Sequence, residues 1–517
     1  MGVSRGALSV ALAGLLAASC SPAGDIRGRA AKASKGSLVT GVIPFRTASR
    51  GAEADPRGRL GSGGRAIAHL AGGVEIVDRA VAAKAPRARL FRTGAAAFEP
   101  TMGITENGAI FFDSLSDSSS PQVSRSTDGG KSWQTVFAGH PTTADPYLYV
   151  DPLTSRIFSN DLIPPCHLVS FSDDDGATWT SAPPAGCITN QDHQTIFAGP
   201  PPKGGQKPAG YPNVVYLCSI GVGISLAAAG SVCSKSLDGG TTYIPAGLAF
   251  YDDPRLSGDY GVPGRCHGAH GHGAVGPDGT VYLPRGWCGQ PWLGISRDEG
   301  TTWTRVQVAD NGMACCGRLL GESGVEPGEA LFSHEAGIDI DAAGNLYYTW
   351  VARDRLPYLA ISRDGGKTWA DPMMIGPPGL KESLLPGIDV GAPGKLVVHY
   401  MGSTNSPWRG PGTSGSDQDT RWNGYLTMTV NALAPRPVFY SATENDPKEP
   451  LWVGSCGPDP ERCSWGDFFD VVIGVDGRPW SIAVDLCRDR DAKCDDASYG
   501  EGIVGHLVGG PRLDKRR

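Results

Sequence analysis

The octapeptide Ser362-Arg-Asp-Gly-Gly-Lys-Thr-Trp369 occurs in five versions in this 517-residue chain. The other four are Ser126–Trp133 (STDGGKSW), Ser172–Trp179 (SDDDGATW), Ser236–Tyr243 (SLDGGTTY) and Ser296–Trp303 (SRDEGTTW). The shared frame, Ser-x-Asp-x-Gly-x-(Ser/Thr)-aromatic, reads as a tight turn between strands. The carboxylates of Asp128, Asp174, Asp238, Asp298 and Asp364 can accept backbone N–H groups just downstream, while the glycine takes a positive φ. The hydroxyl adds to those bonds and the aromatic ring fills the space beside the turn. Five copies predict an array of like units, each needing its neighbour to bury a face.

This frame resembles the Asp-box, or bacterial neuraminidase repeat, of sialidase-like β-propellers. The resemblance implies that each box turns between the third and fourth strands of a blade, far from the central cavity. The five aspartates are then structural. A second repeat, a strand, a turn and another strand, runs independently of the boxes from about Leu90. Its copies are Glu99–Phe112, Tyr147–Phe158, Asp192–Leu217, His270–Leu283, His334–Trp350, Pro386–His399 and Trp465–Val484. Each fits the first two strands of a four-stranded blade. The expectation is an all-β propeller over residues 90–517 with seven blades, six being the alternative. Ring closure is expected between a strand near Ala88–Arg92 and one near Ile503–Val508.

Composition narrows the function classes. Glycine (73) and proline (41) suit many short strands, and a net charge of −7 argues against nucleic acid as a partner. Thirteen cysteines indicate an oxidising compartment. Twelve form an even set with close neighbours at 166/187, 218/233, 266/288, 456/463 and 487/494, and proximity suggests those pairings. The thirteenth, Cys20, ends an apolar run, Ala7–Cys20 (ALSVALAGLLAASC), too short to span a bilayer. That run resembles a bacterial lipoprotein signal. Residues 1–20 would be the signal peptide, Cys20 the lipidated residue and residues 21–65 a flexible tether; residues 66–89 stay unplaced. The implied location is the cell envelope, with membrane contact through the lipid only. An ordinary secretion signal is the alternative, and a monomer is expected.

In a propeller the innermost strands line a central funnel, so the residues opening each hairpin are the ones to inspect. They are Glu99, Asp145, Tyr147, Asp192, His193, His270, His272, His334, Glu335, Asp389, Asp467 and Asp470. Glu335 with Asp192 or Asp467 would be a carboxylate pair able to hydrolyse a glycoside. Glu99, Tyr147, His193, His334, Asp389, Asp470, Arg265 and Arg285 are candidate binding residues. His270 and His272 lie two apart, with His267 nearby, and are candidate metal ligands for a transition metal; calcium on funnel carboxylates is a further option. Trp287, Trp292, Trp408 and Trp422 are candidate platforms for sugar rings. The resemblance to sialidases also implies three arginines clamping a carboxylate, the first in a Phe/Tyr-Arg-Ile-Pro motif. That motif is absent: Ile43-Pro44-Phe45-Arg46 has the residues in the wrong order. Two functions therefore stand side by side: a glycan-acting hydrolase of exo-sialidase type, or a non-catalytic propeller binding a glycan, another small ligand or a protein.

Overall fold

The computed structural model describes residues 61–115, 121–139, 143, 145–188, 191–221, 230–251, 253, 255, 268–313, 336–406, 419–454, 466, 469–487 and 500–514. Their strands form seven sheets, all antiparallel, with one four-residue helix, Arg79–Ala82, capped by the Asp78 carboxylate. No helix among the described residues is long and apolar enough to cross a membrane.

The innermost strands are Thr101–Ile104, Pro146–Val150, Gln191–Gly199, Ala274–Val275, Ala336–Ile340, Glu382–Val390 and Asp470–Ile473, opening blades 1 to 7 in that order. Each lies against the next, and the seventh returns to the first, so the ring is closed with seven blades. All seven predicted hairpins supply the two inner strands of a blade. Most inner-strand positions are buried on both faces, because each sheet is covered by a blade on either side. The apolar core accordingly falls into clusters between successive blades. Phe111, Val123, Leu148 and Ile157 fill the gap between blades 1 and 2; Leu293, Ile338, Leu346 and Ala360 fill that between blades 4 and 5.

The five octapeptides close the outer two strands of blades 1 to 5. In the first, the Ser126 hydroxyl bonds Asp128 Oδ1 at 2.9 Å and accepts the N–H of Gly130 at 2.9 Å. Asp128 also accepts the Ser132 N–H (3.0 Å) and hydroxyl (2.7 Å). The same bonds recur at Asp174, Asp238, Asp298 and Asp364. The glycine shared by all five turns docks each on the preceding blade. A Cβ on Gly240 (φ +92°) would meet Phe158 at 2.6 Å, and one on Gly366 (φ +83°) would meet Ile295 at 2.8 Å.

Blade 7 explains why its hairpin has no octapeptide: its third strand, Gly500–Val508, comes from the C-terminal end of the chain and its outermost, Arg87–Ala97, from near the start. This closure is the one expected from the sequence. The segment before it, which no sequence pattern placed, is a strap. Gly61–Arg65 adds to the edge of blade 7, so the last residues of the expected tether are strand, and Ile67–Leu70 with Val74–Glu75 adds to the edge of blade 6. Residues 1–60, including Cys20, lie outside the described residues. Disulfides join Cys166 to Cys187 and Cys218 to Cys233, as proximity suggested. Cys288 and Cys487 are also disulfide-bonded.

Candidate functional site

The hub is built from two rings of residues. In six blades the inner hairpin ends on an equivalent pair, from Ile104–Ile110 in blade 1 to Ile473–Pro479 in blade 7, which aligns the inner strands residue by residue. The upper ring comprises Thr101, Tyr147, Thr195, His272, Gly337, Gly387 and Asp470. Two residues further on, hence on the same strand face, the lower ring includes Asp339 and Asp389.

These side chains sew the blades together. Asp470 Oδ2 accepts the N–H of Met102 in blade 1 at 3.1 Å, and Thr101 Oγ1 accepts that of Leu148 in blade 2 at 2.6 Å. Thr195 Oγ1 accepts the N–H of Gly273 at 3.4 Å. In the lower ring Asp339 takes the N–H of Val390 at 2.8 Å, and Asp389 takes that of Ile473 at 2.5 Å. Innermost strands have no hydrogen-bonded partner on their axial side, and a carboxylate or hydroxyl from the preceding blade satisfies the N–H left there. Asp389 and Asp470, expected as binding residues, are therefore also structural. Asp339 and Thr101 were missed, although the repeated Gly-Ile-Asp-(Ile/Val) of 337–340 and 387–390 marks the lower ring.

One step toward the strand starts lies the mouth, carrying Glu99, Asp145, His193 and His270, all buried. Glu99 (φ 52°), His193 (φ 50°) and Leu385 (φ 54°) open blades 1, 3 and 6 in the left-handed region. At His193 and Leu385 this accompanies a register shift, a bulge that re-aims the side chain. The His193 and His270 rings meet edge to face at 5.9 Å, and Tyr147 meets His272 at 5.0 Å. Tyr147 OH receives a bond from the Thr195 hydroxyl at 3.2 Å. Asp145 Oδ2 accepts the His193 N–H at 3.4 Å, and Asp192 Oδ1 accepts the same N–H at 2.9 Å.

Burial sets the electrostatics. It raises the Asp470 carboxyl to about 7, against the pull of the Met102 and Val471 N–H groups and of His399. It lowers His272 to about 3, with the nearby His193 adding to the effect, and holds His270 far below the usual imidazole range. Asp470 Oδ1 lies 3.8 Å from His272 Nδ1.

Several expected site residues are placed elsewhere. His270, a candidate metal ligand, is held between blades 3 and 4 by the Ser231 hydroxyl at 3.1 Å and by the Cys218 carbonyl. Among the described residues no three His, Cys, Asp or Glu side chains are grouped to hold a metal ion. Arg285 bonds the Gly268 carbonyl and the Ser231 hydroxyl, both at 2.9 Å, and lies over the Phe250 ring. Trp287 and Trp422 are core residues rather than platforms. Glu335, His334, Asp467, Arg265, His267 and Trp408 lie outside the described residues.

No protein-family model and no curated protein matches this chain. Solved structures do match. The BP39L lectin from Burkholderia pseudomallei has a TM-score of 0.42 at 12% identity, covering 76% of this chain and 93% of the lectin. An alpha-L-arabinofuranosidase from Fusarium graminearum has a TM-score of 0.36 at 11% identity, covering 74% and 97%. The NanB sialidase from Streptococcus pneumoniae has a TM-score of 0.39 at 11% identity, covering 81% and 70%.

Proposed function

We propose that this chain is an exported, lipid-anchored propeller of the cell envelope that binds a glycan at the mouth of its hub. The observation that carries this reading is the pair of buried ionisable residues in left-handed backbone, Glu99 and His193, at the same place in blades 1 and 3. Neither conformation is needed for the ring to close, since Asp145 and His270 at the same place in blades 2 and 4 do not adopt it. Strain kept where closure does not require it points to a ligand. The sugar class comes from the resemblance of the octapeptides to those of sialidase-like propellers. Binding is favoured over turnover because Asp145, Asp389 and Asp470 already hold N–H groups of the next blade. A glycan array with the wild type and with Glu99→Gln/His193→Ala tests this. Binding lost in the folded double variant is expected, and a folded wild type that binds no glycan sinks the reading.

Hydrolysis of exo-sialidase type is a second reading. Asp470 supports it: a carboxyl held near 7 beside His272 has the proton affinity a glycosidase acid needs. Fluorogenic sialosides and other aryl glycosides are the probes, and no turnover on any of them ends this reading. Anchoring is tested by labelled palmitate, with incorporation expected in the wild type and absent in Cys20→Ser.

A further inference from the structure

A shaft of about 170 Å³ runs through the hub and touches the inner strands of all seven blades. Three aspartates line it, Asp339, Asp389 and Asp470, together with His272, and no lysine or arginine does among the described residues. Among the described residues, several buried cations are engaged with other partners. Arg285 is held between blades 3 and 4. Lys235 is paired with Glu299 at 2.6 Å, and Arg355 faces Glu382 at 3.5 Å, both pairs buried. His272 supplies no compensating charge, because burial keeps its imidazole neutral down to about pH 3.

We infer that the end of the ligand entering this hub is uncharged or basic, as in a neutral or amino sugar, and that Asp339 and Asp389 select against carboxylated sugars. An acid brought into the shaft meets the carboxylates of Asp339 and Asp389 with no cation among the described lining residues. Like charges placed together suppress the wrong partner more than they strengthen the right one. That the ligand is a sugar rests on the glycan reading above; the sign of its charge rests on the shaft alone.

Asp→Asn changes remove charge while leaving an oxygen to accept the N–H of the next blade, so the variant to use is Asp339→Asn/Asp389→Asn. Calorimetric titration of the full chain with lactose, sialyllactose and the chitosan disaccharide is expected to give binding about tenfold or more weaker for the acidic sugar. In the double variant that gap is expected to shrink to about twofold or less. Sialyllactose binding as tightly as lactose overturns the inference and leaves the glycan reading intact. If none of the three binds, this glycan set gives no support to the sugar reading, and the charge is decided by melting. Spermine raising Tm in the wild type but not in the double variant upholds the inference. Citrate raising Tm as much as spermine, or spermine acting equally on both proteins, overturns it.

Discussion

The N–H of Ile473 reaches across the seam between blades 6 and 7 to the carboxylate of Asp389, at 2.5 Å. The other oxygen of Asp389 accepts the N–H of Val390, which is itself bonded to Asp339 at 2.8 Å. Each side chain thus satisfies the backbone of the following blade. Asp389→Ala leaves a buried N–H without an acceptor and is expected to cost about 1–3 kcal/mol. Asp389→Asn, which keeps an oxygen in place, is expected to cost less than half of that. Urea unfolding of the two variants checks it, and equal losses would mean that the charge matters rather than the bond.

Stability is expected to fall as pH rises from about 4 to 7. Asp470 and Asp113 are both raised to about 7, first by burial, which the bonds from Met102 and Val471 in one case and from Ser159 and Ser114 in the other only partly offset. The folded state therefore holds these protons more tightly than the unfolded chain does. Their contribution is complete below about pH 4 and is lost as pH passes 7, each tenfold gain in proton affinity on folding being worth about 1.4 kcal/mol. Asp113→Asn/Asp470→Asn is expected to flatten the profile in urea melts at a series of pH values. The turn aspartates act in the opposite sense. Asp364 is drawn down to about 2, first by the Thr368 hydroxyl and then by the Thr368 N–H, so its contribution is present at neutrality and lost in strong acid.

The octapeptide glycines are held by contact as well as by turn geometry. Gly240→Ala sets a Cβ 2.6 Å from the Phe158 ring in a backbone at φ +92°. A loss of about 2–4 kcal/mol is expected, from left-handed strain and overpacking together. Gly204→Ala, also at positive φ but with open space around its Cβ, is expected to lose only the strain, about 1 kcal/mol. Thermal melts of the two variants separate the two costs.

Blade count and order were legible because strand–turn–strand spacing is local, and each inner hairpin carries its own apolar run. The hub stitches were not, because a bond from Asp389 to Ile473 joins residues 84 positions apart and leaves no local trace. Blade 6 shows where matching letters falls short. Its outer turn uses Thr429 and Asn431 in place of serine and aspartate, with the Thr429 hydroxyl bonding Asn431 Oδ1 at 3.0 Å and the Val438 N–H donating to the same oxygen. An amide replaces the acid because an acceptor, not a charge, is what the turn requires. Glu299 is the converse. It occupies a left-handed position that is glycine in three sister turns, and its carboxylate is tied to Lys235 and to the N–H of Gln206, so a side chain there has a partner that glycine would lack. As for the site, the hairpin pattern put the polar residues at the strand starts but could not tell Arg285, which faces a blade seam, from Asp470, which faces the shaft.

Closure of the ring depends on a strand far from the rest of its sheet. Arg87–Ala97 pairs with Gly500–Val508 from Arg87–Val508 to Ala97–Gly500, and Arg92 reaches Asp485 at 2.6 Å and also Glu501. A chain beginning at residue 98 would leave Gly500–Val508 as an uncovered edge on an open ring, with Leu90 removed from the core beneath it. Such a chain is expected to lose cooperative unfolding and to aggregate. A peptide spanning residues 61–97, added during refolding, supplies the missing edge strand and the strap and is expected to restore a soluble monomer with a single transition. Light scattering and melting of the mixture decide it: a truncated chain that melts cooperatively without the peptide would show that the six complete blades and three strands of the seventh suffice.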